Sequence, residues 1–504
     1  MLKDKLLKNS LILLSVSLIS SCATSNQALT TTSPQNEKPS NSVVSNSSKD
    51  ESKKPEPYIS KDDSIGVSET FGIPASDSSK EKSLSAPSSL GRPTAEIVSD
   101  MKEPMPKPMA TSAPSSNVSM SDDMASSPSV AGGSSGSSIA MPPTPVKRLS
   151  AGDIDDNLKF SDYLNYLNSV TGLTSDDIIK MDVSDRYIIT VKDKDGKTVP
   201  DASIKISSNG SNIFNGKTYS NGKALFMPLS IKSVNSDCQQ QDCNNSNFKV
   251  TVSKNNEIIT RDFSLSKENK NWDIQLNNQR QMSETINLDL TFLVDATGSM
   301  GDEIASIQKT IKDISTRIKQ LSDKNLNIRY SLISYKDRND AYRVKRYDFT
   351  TNLDAYQEIL NELTAGGGGD YKESVNEGLS NAVSKITWTS EKEAVRLIFL
   401  IGDAPPHLDY SDDIKYPESI REAVKQGIKI YPVAASGLSP AGEYIFRQLA
   451  QFTYSRFLFL TYGGDEQTPG TTPHNVGSFG ETNLDDLVVK IVKEEITQFS
   501  NKSL

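Results

Sequence analysis

One short stretch constrains the fold of this chain more than any other: LDLTFLVDATGSMGDEI, at residues 288–304. The stretch is apolar almost throughout until Asp295, and two hydroxyl side chains, Thr297 and Ser299, follow at alternate positions. An apolar run that is bounded by polar residues is typical of a buried strand. An acid and two hydroxyls therefore stand where a buried strand ends.

The segments that follow alternate between helical and extended patterns. IASIQKTIKDISTRIKQL has the apolar spacing of an amphipathic helix, whereas NIRYSLISY and VRLIFLIGD are typical of strands. This alternation predicts an α/β domain at residues 286–500 with a largely parallel central sheet. Ligands of such sheets bind at the carboxyl ends of the strands, and both Asp295 and Asp403 fall at strand ends of this kind.

These strand-end side chains form a ligand set of oxygen atoms. The carboxylates of Asp295 and Asp403 and the hydroxyls of Thr297 and Ser299 suit Mg²⁺, with Mn²⁺ or Ca²⁺ as alternatives. Water or the carboxylate of a partner would fill the remaining positions around the ion. Either acid alone could simply cap a helix, but their joint occurrence at strand ends favours a metal site.

The same residues resemble those of a known family. DATGS, at residues 295–299, has the D-x-[ST]-x-S form of the metal-ion-dependent adhesion site of von Willebrand factor type A domains, and FLIGDAPPH supplies the later aspartate, Asp403. The resemblance implies a Rossmann-like fold, a bound divalent ion and a protein partner that offers an Asp or Glu to that ion. It implies binding rather than catalysis.

A glycine-rich loop between these two motifs supplies one further candidate ligand. The loop AGGGGDYKESVNEGL, at residues 365–379, is similar to the Gly-Gly-Gly-Asp-x-x-Glu loop of many bacterial members of the family. Adhesion-type members have a threonine as the metal ligand there, so this sequence departs from them. Glu373 and Asp370 are both candidates for the position.

Short alternating runs at residues 183–280 predict a second, all-β unit. YIITVKD, ASIKISS and FKVTVSK alternate apolar and polar residues, and the pattern VKDKDGKTVPDASIKI resembles the carboxypeptidase regulatory-like β-sandwich. The runs are separated by dipeptides that tight hairpins prefer: Asp195-Gly196, Asn209-Gly210 and Asn221-Gly222.

The three cysteines are consistent with an exported chain. Lysines precede the apolar run LILLSVSLI, which is too short to span a bilayer and ends in ISSC at residues 19–22. This resembles the lipobox of bacterial lipoproteins and predicts a signal peptide at 1–21 and an acylated Cys22 that attaches the chain to the cell envelope, at the outer membrane or cell surface. An ordinary secretory peptide is the alternative. In an oxidising compartment Cys238 and Cys243 are predicted to form a disulfide, with two free thiols as the alternative.

Two further segments complete the predicted organisation. Residues 22–150 are rich in Ser and Pro and poor in aromatic residues, so they cannot bury enough apolar surface to offset their ordering entropy. We expect a disordered tether there. A short helical connector is predicted at residues 151–182.

Composition and motif spacing narrow the function. The chain of 504 residues has a formal net charge of -9, which argues against nucleic acid as a partner, and its two histidines, His407 and His474, stand too far apart for a zinc site of the HExxH kind. GGGGDYKES lacks the glycine before lysine of a phosphate-binding loop. We therefore expect a membrane-anchored, non-enzymatic binding protein. The alternatives are a scaffold lipoprotein in which the metal only stabilises the fold, and a metal-dependent hydrolase.

Overall fold

The computed structural model describes residues 54–60, 148–230, 247–321, 326–461 and 474–501, and the structural statements below concern these ranges. Cys22, Cys238 and Cys243 lie outside them, so the acylation and the disulfide stay predictions. Within these ranges, no helix combines the length and the apolar character that crossing a membrane requires.

Strands and helices alternate along much of the described chain. The strands are β1 (Tyr58–Ser60), β2 (Ser150–Ile154), β3 (Tyr187–Lys192), β4 (Ser203–Ser208), β5 (Ser211–Lys217), β6 (Lys223–Phe226), β7 (Asn247–Lys254), β8 (Glu257–Ser264), β9 (Asn271–Gln275), β10 (Ile286–Asp295), β11 (Leu326–Tyr335), β12 (Val344–Thr350), β13 (Ala394–Gly402), β14 (Ile428–Ala434), β15 (Phe457–Leu460) and β16 (Glu481–Asn483). The helices are α1 (Phe160–Ser169), α2 (Ile304–Gln320), α3 (Leu353–Asn361), α4 (Val375–Ser384), α5 (Tyr416–Gln426), α6 (Pro440–Phe452) and α7 (Leu484–Ser500).

The largest sheet has nine strands in the order β1-β12-β11-β10-β13-β14-β15-β2-β16. Its five central strands, from β11 to β15 in that order, run parallel to one another. The strands outside them pair antiparallel with their neighbours. The predicted α/β domain with a largely parallel central sheet is therefore confirmed, with antiparallel strands added at both edges.

Helices cover both faces of the central strands, which explains the apolar run of β10. Phe292 of β10 is buried on one face in a core that includes Ile311 of α2 and Val488 of α7. Leu293 is buried on the other face in a core that includes Leu379 of α4. A parallel strand that is covered on both faces needs apolar side chains at nearly every position, so its sequence is a continuous run rather than an alternation.

The predicted β-sandwich precedes this domain in the chain. A three-stranded sheet, β6-β3-β9, and a four-stranded sheet, β5-β4-β7-β8, share one apolar core. Trp272 is buried in that core, and its ring centroid lies 4.8 Å from those of both Tyr187 and Phe263. Asn209 and Gly210 join β4 to β5 with φ angles of 49° and 85°. Two positive φ angles are what a two-residue type I′ hairpin turn requires, so this sequence signal is confirmed.

The sandwich contacts the large sheet near the amino ends of its central strands. Arg396, at the start of β13, makes a bidentate ion pair with Asp201 of the sandwich, at 3.1 and 3.2 Å. Glu393, just before β13, pairs with Lys254 at 2.6 Å and with Arg280 at 2.7 Å. Asp295 and Asp403 stand at the opposite ends of their strands, so these contacts leave the predicted site free.

Two strands of the large sheet lie outside the predicted domain. β1 falls within the predicted tether and pairs with β12, where the Arg346 guanidinium lies 3.7 Å from the ring centroid of Tyr58. β2 begins the predicted helical connector and pairs with β15 and β16. Disorder was expected at β1, and the structure contradicts that expectation there. No strand was predicted at β2, whereas α1 lies within the predicted helical connector. Strands of three and five residues carry too little periodicity to be read from sequence, and here the open backbone groups of the sheet edges pair with them.

The ion pair between Arg396 and Asp201 gives a testable prediction for stability. Burial acts to raise the pKa of Asp201, but Arg396 and Lys217 together hold that pKa below its usual value, so the buried carboxyl stays charged. Arg396→Ala should therefore lower the free energy of unfolding by roughly 3 kcal/mol, because it leaves a buried charge with one partner fewer. Urea denaturation followed by circular dichroism measures the change.

The control for this prediction is Arg421→Ala on α5. Arg421 makes an exposed pair with Glu418 at 2.9 Å, and its loss should change the free energy of unfolding by less than about 0.5 kcal/mol. Equal effects of the two substitutions would show that the ion pair with Asp201 does not stabilise the contact between the sandwich and the sheet.

Candidate metal centre

Two acids meet at the carboxyl ends of neighbouring strands. β10 and β13 pair parallel, with Val294 opposite Ile401, so that Asp295 at the end of β10 and Asp403 just after β13 lie at the same edge of the sheet. Both are buried, with 0% and 5% of their surface exposed. The register of the central sheet thus brings together the two acids that the sequence analysis singled out.

The loop after β10 orients the hydroxyl side chains toward these acids. The backbone N–H and the hydroxyl of Thr297 donate to Asp295 Oδ1 at 2.9 and 2.7 Å. Thr297 Oγ1 lies 3.1 Å from Ser299 Oγ, and the Ser299 hydroxyl also bonds the Asp403 carboxyl. Thr297 is fully buried, whereas Ser299 is exposed. The four predicted side chains therefore form one connected group with an opening at Ser299.

The glycine-rich loop packs directly on the loop after β10. Gly298 N donates to Gly367 O at 3.0 Å, and a Cβ on Gly298 would lie 2.8 Å from that oxygen. Gly367 has a φ of +83°, and a Cβ there would lie 2.1 Å from Asp340 Oδ1. The amine of Lys336 donates to the carbonyls of Ala296 and Gly366 and so joins the two loops from below. Glycine is required at position 298 because two backbones approach closely, and at position 367 because of its positive φ and the adjacent Asp340 carboxylate.

The structure separates the two candidate residues of this loop. Glu373 is buried, and a Cβ on Gly368 would lie 3.0 Å from Glu373 Oε1 and 3.5 Å from Thr297 Cβ, which places the Glu373 carboxyl beside Thr297. Its backbone is held by hydrogen bonds with Pro405 and His407. The Asp370 side chain is 68% exposed and lies 3.2 Å from the His407 ring instead. Glu373, and not Asp370, therefore joins Asp295 and Asp403.

The electrostatics of the group are those of carboxyls crowded into a buried space. Burial, followed by the nearby Asp403, raises the pKa of Asp295 to about 7. Burial, followed by Asp295 and Asp337, raises the pKa of Glu373 to about 9. Burial also raises the pKa of Asp403, against the hydrogen bond from Ser299, which lowers it. Like charges held close together disfavour ionisation, so a cation between these carboxyls would favour their charged forms.

The group fits a divalent cation. Among the described residues, Asp295 Oδ2, Glu373 Oε2 and Asp403 Oδ1 are buried oxygens that make no hydrogen bond of acceptable geometry, although the Tyr335 hydroxyl lies near Asp295 and acts to lower its pKa. Buried polar atoms are nearly always satisfied, and one unsatisfied oxygen from each of three neighbouring loops calls for a shared partner. Carboxylate and hydroxyl oxygens are the ligands that Mg²⁺, Mn²⁺ and Ca²⁺ prefer.

A second cluster beside this group was missed by the sequence analysis. Asp337, Asp370 and His407 each offer a ligand atom, and these atoms lie within 4.8 Å of one another. Asp337 lies just after β11, Asp370 directly follows the glycine run, and His407 lies in the loop after β13. Sequence motifs for metal sites rely on fixed spacings between ligands. One histidine and two acids that are brought together only by the fold have no such spacing. The position of His407 four residues after Asp403 was the available signal.

Part of this chain is similar in sequence to known proteins. Residues 289–437 match the family described as the von Willebrand factor A domain. An alpha-protein kinase, vwkA, of Dictyostelium discoideum is 29% identical over 161 residues, which are 32% of this chain and 25% of the kinase. A putative ariadne-like RING finger protein, R811, of Acanthamoeba polyphaga mimivirus is 28% identical over 120 residues, which are 24% of this chain and 11% of that protein. The chain thus spans a quarter or less of these two relatives.

Solved structures also align with part of this chain. The conserved hypothetical protein BatB from Bacteroides thetaiotaomicron aligns with 43% of this chain and 100% of its own, at 11% sequence identity and a TM-score of 0.30. The open conformation of the pilus adhesin SpaC from Lactobacillus rhamnosus GG aligns with 42% of this chain and 29% of its own, at 15% identity and a TM-score of 0.26. The family match spans Asp295, the glycine-rich loop and Asp403, and it shows that this chain is a protein containing a von Willebrand factor A domain.

Proposed function

We propose that the chain is an envelope-anchored binding protein whose von Willebrand factor A domain captures a protein partner through a divalent cation, with Mg²⁺ as the first choice. The ion is held by Asp295, Thr297, Ser299, Asp403 and Glu373. The observation that carries this proposal is the convergence at one sheet edge of three buried carboxyl oxygens that make no hydrogen bond of acceptable geometry with the described residues. A cation there stabilises all three carboxylates at once.

The hydroxyl geometry supports Mg²⁺ in particular. Two ligands at right angles around Mg²⁺, each about 2.1 Å from the ion, lie about 3.0 Å apart. Thr297 Oγ1 and Ser299 Oγ are 3.1 Å apart. The Thr297 hydroxyl donates its proton to Asp295 Oδ1, which leaves its lone pairs free for a cation. The hydroxyls thus have the separation and the orientation of neighbouring ligands.

The proposed ion is accessible from one side. Ser299, Gly368 and Gly369 are exposed at this edge, and Tyr371 has 48% of its surface exposed. The sandwich contacts lie at the opposite ends of the strands. An Asp or Glu of a partner protein can therefore approach the sixth coordination position, and a carboxylate is the protein ligand that a hard, partly coordinated cation attracts most strongly.

Removing the first acid tests the metal site. Asp295→Ala should abolish the thermal stabilisation that Mg²⁺ gives the wild type, because the ion loses an anionic ligand. That stabilisation reaches about 2.7 kcal/mol when free Mg²⁺ is a hundred times its dissociation constant. Differential scanning calorimetry with and without Mg²⁺ measures both proteins, and the metal-free variant should stay folded.

Two further variants sharpen this test. Thr297→Val removes a neutral ligand and should weaken Mg²⁺ binding less than Asp295→Ala does. Asp313→Ala changes an acid on α2 that is half-exposed and pairs with Arg317, and it should leave Mg²⁺ binding unchanged. If the wild type binds neither Mg²⁺ nor Mn²⁺ between micromolar and millimolar concentrations, the metal site is refuted.

Capture of the partner separates binding from a purely structural metal. Full-length wild-type protein should retain an envelope protein in Mg²⁺ and release it in a chelator, whereas Asp295→Ala should not retain it and Asp313→Ala should. The partner acid can then be identified by crosslinking and mass spectrometry. If Mg²⁺ stabilises the wild type but the chelator and Asp295→Ala leave capture unchanged, the chain is a scaffold in which the ion only stabilises the fold.

The proposed anchor is the acylated Cys22, with the segment up to about residue 150 as the connection to the folded part. Cys22→Ser should prevent processing by the lipoprotein pathway and move the protein out of the detergent-soluble membrane fraction, because its lipid is lost. Cys238→Ser changes a cysteine of the predicted disulfide instead and should leave the protein in that fraction. Unchanged mass and unchanged partition of Cys22→Ser would rule out the lipid anchor.

A further inference from the structure

A second group of ligand atoms lies next to the proposed Mg²⁺ site, and we call it the His407 cluster. It consists of Asp337, Asp370 and His407. His407 Nε2 is 3.2 Å from Asp370 Oδ1 and 3.7 Å from Asp337 Oδ1. Asp337 and His407 are buried, whereas the side chain of Asp370 is exposed, so the cluster has a closed side and an open side.

The neighbours of His407 determine which ring nitrogen carries the proton. Nδ1 lies 2.9 Å from Asp409 Oδ1, and an ionised carboxylate only accepts hydrogen bonds. Nδ1 therefore carries hydrogen, and in the neutral ring Nε2 has its lone pair exposed toward Asp337 and Asp370. A carboxylate that orients an imidazole through one nitrogen while the other nitrogen faces an ion is a recurrent arrangement around protein metals.

The ring is held rigidly in this orientation. His407 is 3% exposed, and its ring stacks on that of Tyr410, with centroids 3.9 Å apart and an interplanar angle of 9°. Nε2 is buried and makes no hydrogen bond of acceptable geometry with any described residue. A buried lone pair fixed toward two carboxylates is repelled by them unless a metal ion or a proton lies between.

Asp337 is fixed as well. Its Oδ1 accepts hydrogen bonds from the hydroxyls of Ser374, at 3.2 Å, and Tyr410, at 3.1 Å. Tyr410 thus contacts both buried members of the cluster. These bonds orient the Asp337 carboxylate in the way that ligands around a metal are usually supported.

We propose that the His407 cluster binds a divalent transition-metal ion, with Zn²⁺ as the first choice. An imidazole nitrogen with two carboxylate oxygens is a mixed set that favours Zn²⁺ over Mg²⁺. Ligands about 2.1 Å from a tetrahedral Zn²⁺ lie roughly 3.4 Å from one another. This value falls between the two observed separations, 3.2 Å from Nε2 to Asp370 Oδ1 and 3.7 Å from Nε2 to Asp337 Oδ1. Water fills the fourth position on the open side.

This site is separate from the one that holds Mg²⁺ in the proposed function. The Mg²⁺ group has only oxygen atoms, and none of its residues belongs to the His407 cluster. Both groups nevertheless draw on one segment of chain, because Asp370 and Glu373 are three residues apart and their side chains lie in different groups. An ion in the His407 cluster therefore also holds the segment that carries Glu373.

Cobalt and zinc titrations of the full-length protein in detergent test the proposal. The thiols are blocked by alkylation, and Mg²⁺ is present in excess to fill the first site. Co²⁺ should bind with visible absorption typical of a low-coordinate nitrogen and oxygen site, and one equivalent of Zn²⁺ should displace it. The other histidine gives little background, because the His474 side chain is only 7% exposed and its Nδ1 lies 3.3 Å from Glu443.

Substitutions assign the ligands. Asp370→Asn and His407→Gln should each weaken Zn²⁺ binding at least about tenfold. Asp412→Asn is the matched control, because its side chain is 61% exposed, close to the 68% of Asp370, and pairs with Arg338. Asp412→Asn should bind Zn²⁺ as the wild type does, and Asp295→Ala should also keep the Co²⁺ spectrum, which separates this site from the first. Circular dichroism confirms that each variant is folded.

Two results would overturn the proposal. The first is a wild type that binds neither Co²⁺ nor Zn²⁺ between micromolar and millimolar concentrations, which is the behaviour expected if a protonated His407 simply pairs with the two acids. The second is binding that persists unchanged in both Asp370→Asn and His407→Gln. Asp370 is exposed, and its substitution leaves the buried residues in place. A loss of Zn²⁺ binding in Asp370→Asn is therefore not explained by misfolding.

Discussion

Three carboxyls buried at one edge of a sheet are the constraint around which this domain is organised. Asp295, Asp403 and Glu373 each lose solvation, and burial raises the pKa of all three. Buried acids without a basic partner lower the stability of a fold, so stability alone does not account for these three. The amine of Lys336 lies near enough to Asp295 and Glu373 for their charges to act on its pKa, but it donates to backbone carbonyls of the two loops. Among the described residues, one oxygen of each carboxyl makes no hydrogen bond of acceptable geometry. The arrangement is therefore poised for a cation that binds from outside.

The rest of the structure supports that edge without covering it. In-register pairing of β10 with β13 sets the spacing of Asp295 and Asp403, and the helices on both faces keep those strands buried. The sandwich contacts the amino ends of the same strands through charged pairs such as that of Arg396 with Asp201. The sandwich thus occupies one end of the sheet, and the other end, with its candidate metal sites, is available for a partner.

Much of this arrangement was predictable from the sequence, and the reasons for the exceptions are physical. Asp295, Thr297, Ser299 and Asp403 could be expected to lie together because parallel strands bring their carboxyl ends together wherever they lie in the chain, and the structure places them at one sheet edge. Their role as metal ligands stays a prediction. The choice between Glu373 and Asp370 depends on the path of four glycines, three of which have positive φ, and composition does not specify that path. His407 was not recognised as a candidate ligand because its neighbours in the cluster come from other loops. β1 and β2 were not predicted because strands of three and five residues are too short to show a hydrophobic period. In each of these cases tertiary contacts, rather than local pattern, decide the outcome.

The most direct test of a cation at the sheet edge is to locate one. Crystals of the protein grown or soaked with Mn²⁺, which takes the same oxygen ligands as Mg²⁺ and scatters X-rays anomalously, would show its position. The account predicts an anomalous peak within bonding distance of the Thr297 and Ser299 hydroxyls, with the carboxyls of Asp295 and Asp403 around it. The account would be contradicted if the loops were ordered at a saturating Mn²⁺ concentration and no anomalous peak lay among these residues.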